Sequence, residues 1–169
     1  PVVRPLLEDA NVPLAIVDAP RAGSGKDLSA QIAALASTGR YPGTMSNLSR
    51  PEEWRKQVTA QLKKGERFVL ISDVEGPLDN EPLRRVLTTP TWSDRILNVT
   101  RQVRLPSNAV WCATGNNLRP TGDMIRRCFL VRLDTEMQRP WERTGFKHQQ
   151  PQWAQEHRGE LSAALLTLA

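Results

Sequence analysis

Cysteine, tyrosine, histidine and long hydrophobic runs are scarce in this sequence of 169 residues. It contains two cysteines, one tyrosine and two histidines. Cys112 and Cys128 both lie in apolar runs typical of strands, so we expect free buried thiols rather than a disulfide. The most apolar run, Phe68 to Ile71, is strand-sized and far shorter than the roughly 20 residues of a membrane-spanning helix. The N-terminus lacks the basic-then-apolar pattern of a secretion signal, so we expect a cytoplasmic protein without a membrane partner.

The overall composition is that of a globular domain. Apolar residues make up 39% and charged residues 24% of the chain, and its length suits one domain with its own core. The formal net charge is +5 and the isoelectric point is near 9.8. A polyanionic partner is therefore a hypothesis to weigh against an ordinary solvated surface. Because the sequence opens on Pro1 and ends in a helix-like stretch, we expect it to belong to a longer chain.

Short apolar runs alternate with helical segments along the chain. The runs are Leu14 to Val17, RFVLISD, NAVWCAT and CFLVRLD. Between them lie a helical segment that stops at Gly39, the segment SRPEEWRKQVTAQLKKGE, and NEPLRRVLTTP. In the second of these, Ser49 is the expected cap and Gly65 the end. Continuous apolar strands that alternate with helices predict a mostly parallel sheet covered on both faces. At Thr135 the composition changes to Gln, Pro, Trp and charge, which predicts a boundary.

The segment DAPRAGSGKDLSA, from Asp18 to Ala30, follows a strand-like run and precedes a helical one. It is close to the phosphate-binding pattern G-x-x-x-x-G-K-[ST], whose glycines let backbone N–H groups wrap phosphates at a helix N-terminus. Gly25 and Lys26 match, whereas Pro20 replaces the first glycine and Asp27 replaces the hydroxyl residue that ligates Mg²⁺. We predict bound ATP with Mg²⁺, and a plain glycine turn is the alternative. The residues assigned to the nucleotide are Pro20, Arg21, Ala22, Gly23, Ser24, Gly25, Lys26, Asp27 and Leu28.

Acidic and amide side chains follow the next two strand-like runs. Asp73 ends the run FVLISD, where a carboxylate holds Mg²⁺ in phosphate-transfer sites. Glu75, two residues further on, can polarise an attacking water. Asn116 follows the run VWCAT and can orient that water, with Asn117 as the second choice. Each of these also has a plain interpretation as a strand-end or turn residue. The expected metal ligands are therefore Asp73 and Asp27, since a carboxylate in the loop can also ligate Mg²⁺.

These motifs, taken in this order, resemble those of an AAA+ ATPase. The segments DAPRAGSGKDL, CATGNNL and GDMIRRCFLVRLD carry the resemblance, which extends from about Leu14 to Asp134. Within that superfamily the set is most similar to the ATPase modules of primase and replicative-helicase proteins from phages and mobile elements. The resemblance implies an αβα P-loop NTPase core over residues 1–135, with a five-stranded sheet in the order 5-1-4-3-2. It also implies a short, partial helical lid over residues 136–169 and assembly into a homo-oligomeric ring.

The resemblance also assigns roles to single residues. Lys26 would be the phosphate lysine, Asp73 the magnesium-binding aspartate and Asn116 the sensor residue. Val74 departs from the family, whose catalytic glutamate usually follows the aspartate directly. Glu75 would then act from a position displaced by one residue.

Three arginines are candidates for contacts with phosphates. Arg126 and Arg127 come just ahead of the run CFLVRLD, and the resemblance makes Arg127 an arginine finger for a neighbouring subunit, with Arg126 as the second choice. The plain alternative is a surface ion pair with an acid such as Asp123. Arg158, at the start of the last helical stretch, is a second-choice lid arginine, and an exposed helix residue is its alternative.

The basic segment SDRILNVTRQVRLPSN lies between RFVLISD and NAVWCAT. Its alternating β-branched residues predict two short strands folded on each other rather than a helix. In helicases that the motif set resembles, a hairpin at this point grips single-stranded DNA. Arg95, Arg101 and Arg104 would then contact phosphates without reading sequence. The alternative is a surface hairpin whose arginines pair with Asp94 or face water.

Three functional hypotheses follow from these residues. The first is an ATP-binding and ATP-hydrolysing module of a DNA replication motor, derived from a phage or mobile element, with single-stranded DNA and further copies of the chain as partners. The second is a catalytically silent nucleotide-binding or scaffold module, which the departures at Pro20, Asp27 and Val74 favour. The third is a protein-remodelling ATPase without a DNA partner.

Overall fold

The computed structural model describes residues 11–95 and 102–167 of the chain. Within them the seven strands are β1 (Leu14–Ala19), β2 (Gly43–Ser46), β3 (Phe68–Leu78), β4 (Thr91–Arg95), β5 (Gln102–Pro106), β6 (Val110–Pro120) and β7 (Cys128–Arg132). The five α-helices are α1 (Lys26–Thr38), α2 (Pro51–Lys63), α3 (Glu81–Thr88), α4 (Gln150–Glu156) and α5 (Arg158–Thr167). Two short 3₁₀ helices cover Gly122–Arg127 and Pro140–Glu142. No helix in this part of the chain is both long and apolar enough to cross a membrane.

Five strands form one sheet in the order β2-β3-β6-β1-β7, and every neighbouring pair in it is parallel. When β6 and β7 are counted as the fourth and fifth strands of this sheet, the order is the expected 5-1-4-3-2. The other two strands, β4 and β5, form a separate antiparallel pair. The predicted α/β architecture with a five-stranded parallel sheet is therefore confirmed. Parallel neighbours need long crossover connections, which explains why apolar runs and helices alternate.

Apolar clusters fill both faces of the sheet. One face packs on α1, through a cluster of small and medium side chains that includes Ala30, Ala34, Val17, Leu70 and Cys112. The other face is covered by α2 and α3 over a larger cluster, whose biggest side chains are Trp54, Trp92 and Trp111. Burying a leucine or valine in such a cluster stabilises the fold by roughly 1.5–3 kcal/mol relative to leaving it exposed. Alanines on α1 let this helix lie close to the strands that carry the site.

Both cysteines are free, as the sequence predicts, although only Cys112 is fully buried and Cys128 is half-buried. Burial, and to a smaller extent the charge of Asp27, raises the pKa of the Cys112 thiol to about 12. Burial also raises the pKa of the Cys128 thiol. Both thiols therefore stay protonated at neutral pH and behave as small apolar residues.

Glycine and proline set the helix boundaries. α1 ends where Gly39, in the left-handed conformation (φ 74°), donates its N–H to Leu35 O, so the predicted glycine stop is confirmed. α2 begins at Pro51, and its N-cap is Arg50 in an extended conformation. The expectation that Ser49 caps this helix is wrong. Proline drives the residue before it to extended backbone angles, which makes Arg50 the N-cap, one residue past the serine.

The hairpin of β4 and β5 is anchored to the domain through Trp92, whose side chain is fully buried. Its Nε1–H donates a hydrogen bond to Thr59 Oγ1 of α2 at 2.8 Å. The guanidinium of Arg85, from α3, lies 4.1 Å from the centroid of the indole, which is a cation–π contact. Because α2, α3 and β4 meet at this one side chain, the base of the hairpin is fixed against both helices.

The last two helices pack on α1. Ser162 Oγ of α5 donates a hydrogen bond to Ala36 O at 2.8 Å. Arg158 lies over Gly39, with its Nε 2.8 Å from the place where a Cβ atom of that glycine would be. None of the residues of α5 is buried. The division into a core over residues 1–135 and a partial lid over 136–169 stays a prediction.

β3 and β6 approach each other closely at Gly115. A Cβ atom on this residue would lie 2.2 Å from Val74 O and 3.1 Å from the side chain of Leu118. Val74 O belongs to the backbone of the neighbouring strand, and Leu118 is buried in the core, so neither can move aside freely. Only glycine lets the two strands pair here, one residue before Asn116.

We predict that Gly115→Ala lowers the free energy of unfolding by about 1–3 kcal/mol, because the added methyl group must displace strand backbone. Gly159→Ala is the matched control, since no atom of the described residues outside its own stretch of α5 lies within 4 Å of its added Cβ. That change should be neutral or should stabilise the fold by up to about 1 kcal/mol, as alanine favours a helix. Urea denaturation of both variants measures the difference, and equal stability would contradict the close approach.

Candidate functional site

The candidate site lies where three parallel strands run side by side at their carboxyl ends. Asn116 of β6 is in register with Ala19 of β1 on one side and with Glu75 of β3 on the other. Neighbouring strands lie about 4.7–4.9 Å apart, so the backbone of Glu75 is roughly 10 Å from that of Ala19, across Asn116. Ala19 ends β1 and leads directly into the glycine-containing loop. The amide, the carboxylate and the start of the loop therefore share one edge of the sheet.

Asn116 and Ala19 project to the face of the sheet that α1 covers. Side chains alternate between the two faces along a strand, and Val17 and Cys112 belong to the cluster that packs on α1. Ala19 lies two residues after Val17, and Asn116 lies four after Cys112, so both share that face. α1 itself begins at Lys26, directly above this edge of the sheet.

Lys26 and Asn116 are joined by a hydrogen bond, although they are 90 positions apart in the sequence. Lys26 Nζ donates to Asn116 Oδ1 at 2.8 Å. Lys26 is the first residue of α1, and Asn116 is exposed at the strand end. The structure thus brings the predicted phosphate lysine and the predicted water-orienting amide together. Their roles toward a nucleotide stay predictions.

The loop between β1 and α1 turns on two glycines in the left-handed region, Gly23 (φ 71°) and Gly25 (φ 84°). Ser24 Oγ donates a hydrogen bond to Arg21 O at 2.6 Å, which closes the loop on itself. Gly25 is the N-cap of α1 and brings no side chain to bond the first N–H groups of the helix. Those N–H groups and the positive end of the helix dipole together favour an anion in the loop.

A bulge in β3 contains Asp73 and comes just before Val74 and Glu75. Ser72 and Asp73 together lie opposite the single residue Thr114 of β6, and Asp73 has a positive φ of 52°. Beyond the bulge Val74 is fully buried in the core, and Glu75 is exposed at the edge. This explains why a valine and not a glutamate follows Asp73, because the side chain at position 74 faces the core. The next side chain, Glu75, faces the α1 side and the row of Asn116.

Asp27 carries an orphaned polar atom, because its Oδ1 is buried and accepts no hydrogen bond from the described residues. A buried carboxylate oxygen without a partner is costly, and a hard cation such as Mg²⁺ would satisfy it. In residues 11–95 and 102–167 no three His, Cys, Asp or Glu side chains cluster so as to hold a metal ion. Mg²⁺ in phosphate sites commonly needs only one or two carboxylates plus phosphate oxygens, so the residues present fit it.

Arg126 and Arg127 are both paired with Asp123 in this chain. Arg127 Nε and Nη2 donate to Asp123 Oδ2 at 2.9 and 2.6 Å, and Arg126 Nε donates to Oδ1. The hydrogen bond from Arg126, then that from Arg127, lowers the pKa of the Asp123 carboxyl to about 2. The carboxylate is therefore charged at any physiological pH. Within one chain, Arg127 therefore forms the surface ion pair with Asp123 that was its plain alternative from the sequence.

Arg127 and Lys26 lie at opposite ends of the parallel strands. Arg127 is at the amino ends, which form the amino edge of the sheet, and Lys26 is at the carboxyl ends, which form its carboxyl edge. Arg127 directly precedes β7, whose first residue, Cys128, is in register with Leu14 at the start of β1. Lys26 follows the carboxyl end of the same strand, which spans six residues, or roughly 20 Å. The structure does not bring Arg127 to the loop of its own chain. Arg158 is distant as well, because it packs at the other end of α1, a helix of 13 residues and about 20 Å.

Asp18 is a site residue that the sequence did not single out. It is fully buried at the root of the loop. Its Oδ1 accepts a hydrogen bond from Leu118 N at 2.8 Å, and its Oδ2 accepts one from Arg132 Nη1 at 2.8 Å. The first contact holds the bend of β6 at Asn117, whose φ is +53°. An aspartate at the end of an otherwise apolar strand was the available signal, because a buried carboxylate requires partners.

The predicted pair of strands in the basic segment is confirmed as the antiparallel hairpin of β4 and β5. Side chains at paired positions share a face, and Trp92 with its partner Leu105 marks the inner one. Arg95 and Arg104 lie on the outer face and are exposed. Arg101 lies outside the described residues. Next to the hairpin, a cleft of about 520 Å³ between α2 and β4 has more basic than acidic side chains, and its charged lining is Arg55, Lys56, Lys63, Arg95, Glu52 and Asp94.

Comparison with known proteins finds similarity of fold alone. No protein-family model matches the sequence, and no curated protein is recognisably similar to it. The A-form apo structure of the NrS-1 C-terminal region has a TM-score of 0.57 and 14% identity, over 88% of this chain and 34% of that chain. A second A-form apo structure of the same region gives 0.54 and 13%, with the same coverage. The chain thus spans about a third of the length of these neighbours.

Proposed function

We propose that this chain is an ATP-binding and ATP-hydrolysing AAA+ module of a DNA replication motor from a phage or mobile element. The observation that carries the proposal is the contact of Lys26 Nζ with Asn116 Oδ1 at the carboxyl edge of the sheet. Ligands of parallel α/β sheets bind at this edge, and a helix N-terminus there suits phosphates. The strand order and the similarity in fold to the NrS-1 C-terminal region support the same proposal.

The loop and Lys26 supply the attraction for phosphate. Left-handed Gly23 and Gly25 allow the backbone to wrap an anion closely, and the first N–H groups of α1 lie at the same place. Lys26 Nζ exchanges its amide partner Asn116 for a phosphate oxygen. Mg²⁺, when bound, neutralises charge on the phosphates, and Asp27 and Asp73 are the carboxylates that would hold it.

Glu75 and Asn116 supply the groups for hydrolysis. Asn116 orients a water molecule, and Glu75, in the neighbouring register position, accepts its proton. The water oxygen forms a bond to the γ-phosphorus while the bond from that phosphorus to the bridging oxygen breaks. The products are ADP and inorganic phosphate. This assignment gives Glu75 the work that the family gives to the residue directly after the aspartate.

Arg127 acts between subunits in this proposal. Because it lies at the amino edge of the sheet, a second copy must present its own loop to this edge. Arg127 would then leave Asp123 and stabilise negative charge that develops on the phosphates. The ion pair with Asp123 keeps the guanidinium ordered until that contact forms.

Single-stranded DNA is the proposed nucleic-acid partner. Arg95 and Arg104 share the exposed face of a hairpin whose base is fixed by buried Trp92. The cleft beside α2 extends this basic surface. Side chains of this kind bind the phosphate backbone and do not read bases.

We predict that Lys26→Ala weakens ATP binding about 10- to 150-fold, since charged hydrogen bonds contribute about 1.5–3 kcal/mol. Glu75→Gln should keep the affinity within about twofold and lower kcat about 10²- to 10⁴-fold, because it removes only the base. Calorimetric titration and phosphate release measure the two effects, with exposed Glu160→Gln as the control.

The outcomes separate the three functional hypotheses from one another and from a plain glycine turn. Unchanged affinity in Lys26→Ala would leave only the glycine-turn interpretation. Tight ATP binding by the parent without phosphate release would identify the silent module. ATP hydrolysis that single-stranded DNA neither stimulates nor inhibits, in a protein that does not bind this DNA, would favour the protein-remodelling ATPase.

We predict that Arg127→Ala lowers kcat by about 10³-fold or more with little change in ATP affinity, as expected of a group that acts in the transition state. A mixture of Arg127→Ala and Lys26→Ala proteins should recover part of the activity. Mixed interfaces then pair an intact Arg127 with an intact Lys26. If no ratio of two folded and assembled variants restores activity, a finger that acts between subunits is wrong.

We predict that the double change Arg95→Ala, Arg104→Ala weakens binding of single-stranded DNA and lowers its salt dependence. Each phosphate contact contributes about 0.7 to the slope of log K against log salt on a single strand, so the slope should fall by about 1.4. Basal ATP hydrolysis should persist. The double change Arg40→Ala, Arg143→Ala, at two exposed arginines elsewhere, is the matched control. Identical salt curves for the two double variants would rule out the hairpin as the DNA contact.

A further inference from the structure

The segment from Met137 to Trp141 lies against the phosphate-loop candidate. Arg21 Nη1, in the loop, donates a hydrogen bond to Met137 O at 2.6 Å. At Gly23 the place of a Cβ atom is 2.8 Å from Trp141 Cβ, 3.0 Å from its N and 3.1 Å from its Cα. The glycine is therefore required not only for its positive φ but also because Trp141 occupies the space beside it. Two contacts, between residues that are 116 and 118 positions apart in the sequence, hold this segment against the loop.

Trp141 stands out among the five tryptophans of the chain because 60% of it is exposed. Trp54, Trp92 and Trp111 are at most 1% exposed and belong to the core. Trp153 is half-buried and stacked on His157, with ring centroids 4.5 Å apart. An indole that is held at a loop but left open to solvent is available to a ligand.

The backbone around Trp141 is ordered by its neighbours. Pro140 is buried and opens the short 3₁₀ helix, and Arg143 N donates back to Pro140 O at 3.2 Å. Arg139 Nη1 and Glu142 Oε1 pair across the same turn at 3.1 Å. The indole is thus presented from a fixed backbone, so little conformational entropy is lost when a flat ligand stacks on it.

We propose that Trp141 stacks on the base of the nucleotide whose phosphates lie in the loop. This inference rests on the proposed nucleotide binding and on neither hydrolysis nor DNA binding. A nucleotide held by its phosphates must place its sugar and base on a surface next to the loop. Trp141, whose backbone and Cβ lie beside Gly23, offers an exposed aromatic surface of the right chemistry, because every base has a π-face that can stack on it.

Stacking has a consequence for base selectivity. An indole recognises the face of a ring and not the donors and acceptors on its edge, so adenine and guanine nucleotides gain similar affinity from Trp141. The contribution belongs to the base alone. Inorganic tripolyphosphate, which has the phosphates without a base, should gain none of it.

The test is calorimetric titration of ADP and of inorganic tripolyphosphate into the parent protein, Trp141→Ala and Trp141→Phe. Trp141→Ala should weaken ADP binding about 5- to 150-fold, the range found for loss of base–aromatic stacking. It should leave tripolyphosphate affinity within about twofold. Trp141→Phe should restore most of the ADP affinity. Because Trp141 is largely exposed, circular dichroism and thermal unfolding should show an intact fold in both variants.

Fluorescence gives an independent readout. ADP should change the tryptophan emission of the parent, whereas tripolyphosphate should not. The change should disappear in Trp141→Phe and persist in Trp153→Phe, the matched control in the same part of the chain. ADP affinity unchanged in Trp141→Ala overturns the stacking, as does an equal loss for ADP and tripolyphosphate, which would mean that Trp141 only shapes the loop. A parent protein that binds neither compound, by contrast, overturns the proposed nucleotide function itself.

Discussion

The buried carboxylate of Asp18 is the contact on which the candidate site depends. One of its oxygens holds the backbone N–H of Leu118 in β6, and the other holds the guanidinium of Arg132 in β7. It therefore ties the strand before the loop to both of its neighbours in the sheet. Removing one partner of a buried charge is costly because the remaining group loses its hydration without compensation. A single side chain thus fixes the relative position of the loop and of the strand end that carries Asn116.

Beyond Asp18, the strand ends that carry the candidate site have irregular backbone geometry rather than regular sheet pairing. A bulge in β3 and a positive φ at Asp73 turn the side chain of Val74 into the core and leave Glu75 in register with Asn116 of the neighbouring strand. Gly115 permits this because any side chain there would meet Val74 O. Strain of this kind costs of order 1–3 kcal/mol for each unusual backbone conformation and persists only where surrounding packing determines it. Here the fully buried Val74 supplies that packing on the far face.

Patterns within short stretches of the sequence predicted individual strands and helices, whose formation depends mainly on neighbouring residues. Apolar runs predicted β1, β3, β6 and β7 of the parallel sheet, and the glycine before Lys26 predicted the start of α1. The strand β2 was missed, because its four residues, GTMS, contain one buried apolar side chain, Met45, and no apolar run. The cap of α2 was misassigned to Ser49 because Pro51, two residues later, determines where the helix starts. Resemblance, not periodicity, supplied the strand order. Contacts over more than a hundred positions, such as that of Arg21 with Met137, have no local signal and were not predictable.

The two edges of the sheet divide the proposed chemistry. The carboxyl edge carries Asn116 and Glu75 in neighbouring register positions, with Lys26 hydrogen-bonded to Asn116. The amino edge carries Arg127, a full strand length away and satisfied by Asp123. In the proposed function, one chain would supply the groups that bind a polyphosphate, whereas its Arg127 stays out of reach of its own loop. On the proposed function, binding belongs to the single chain and fast hydrolysis to the assembly, because only a neighbour can bring the second edge to the first.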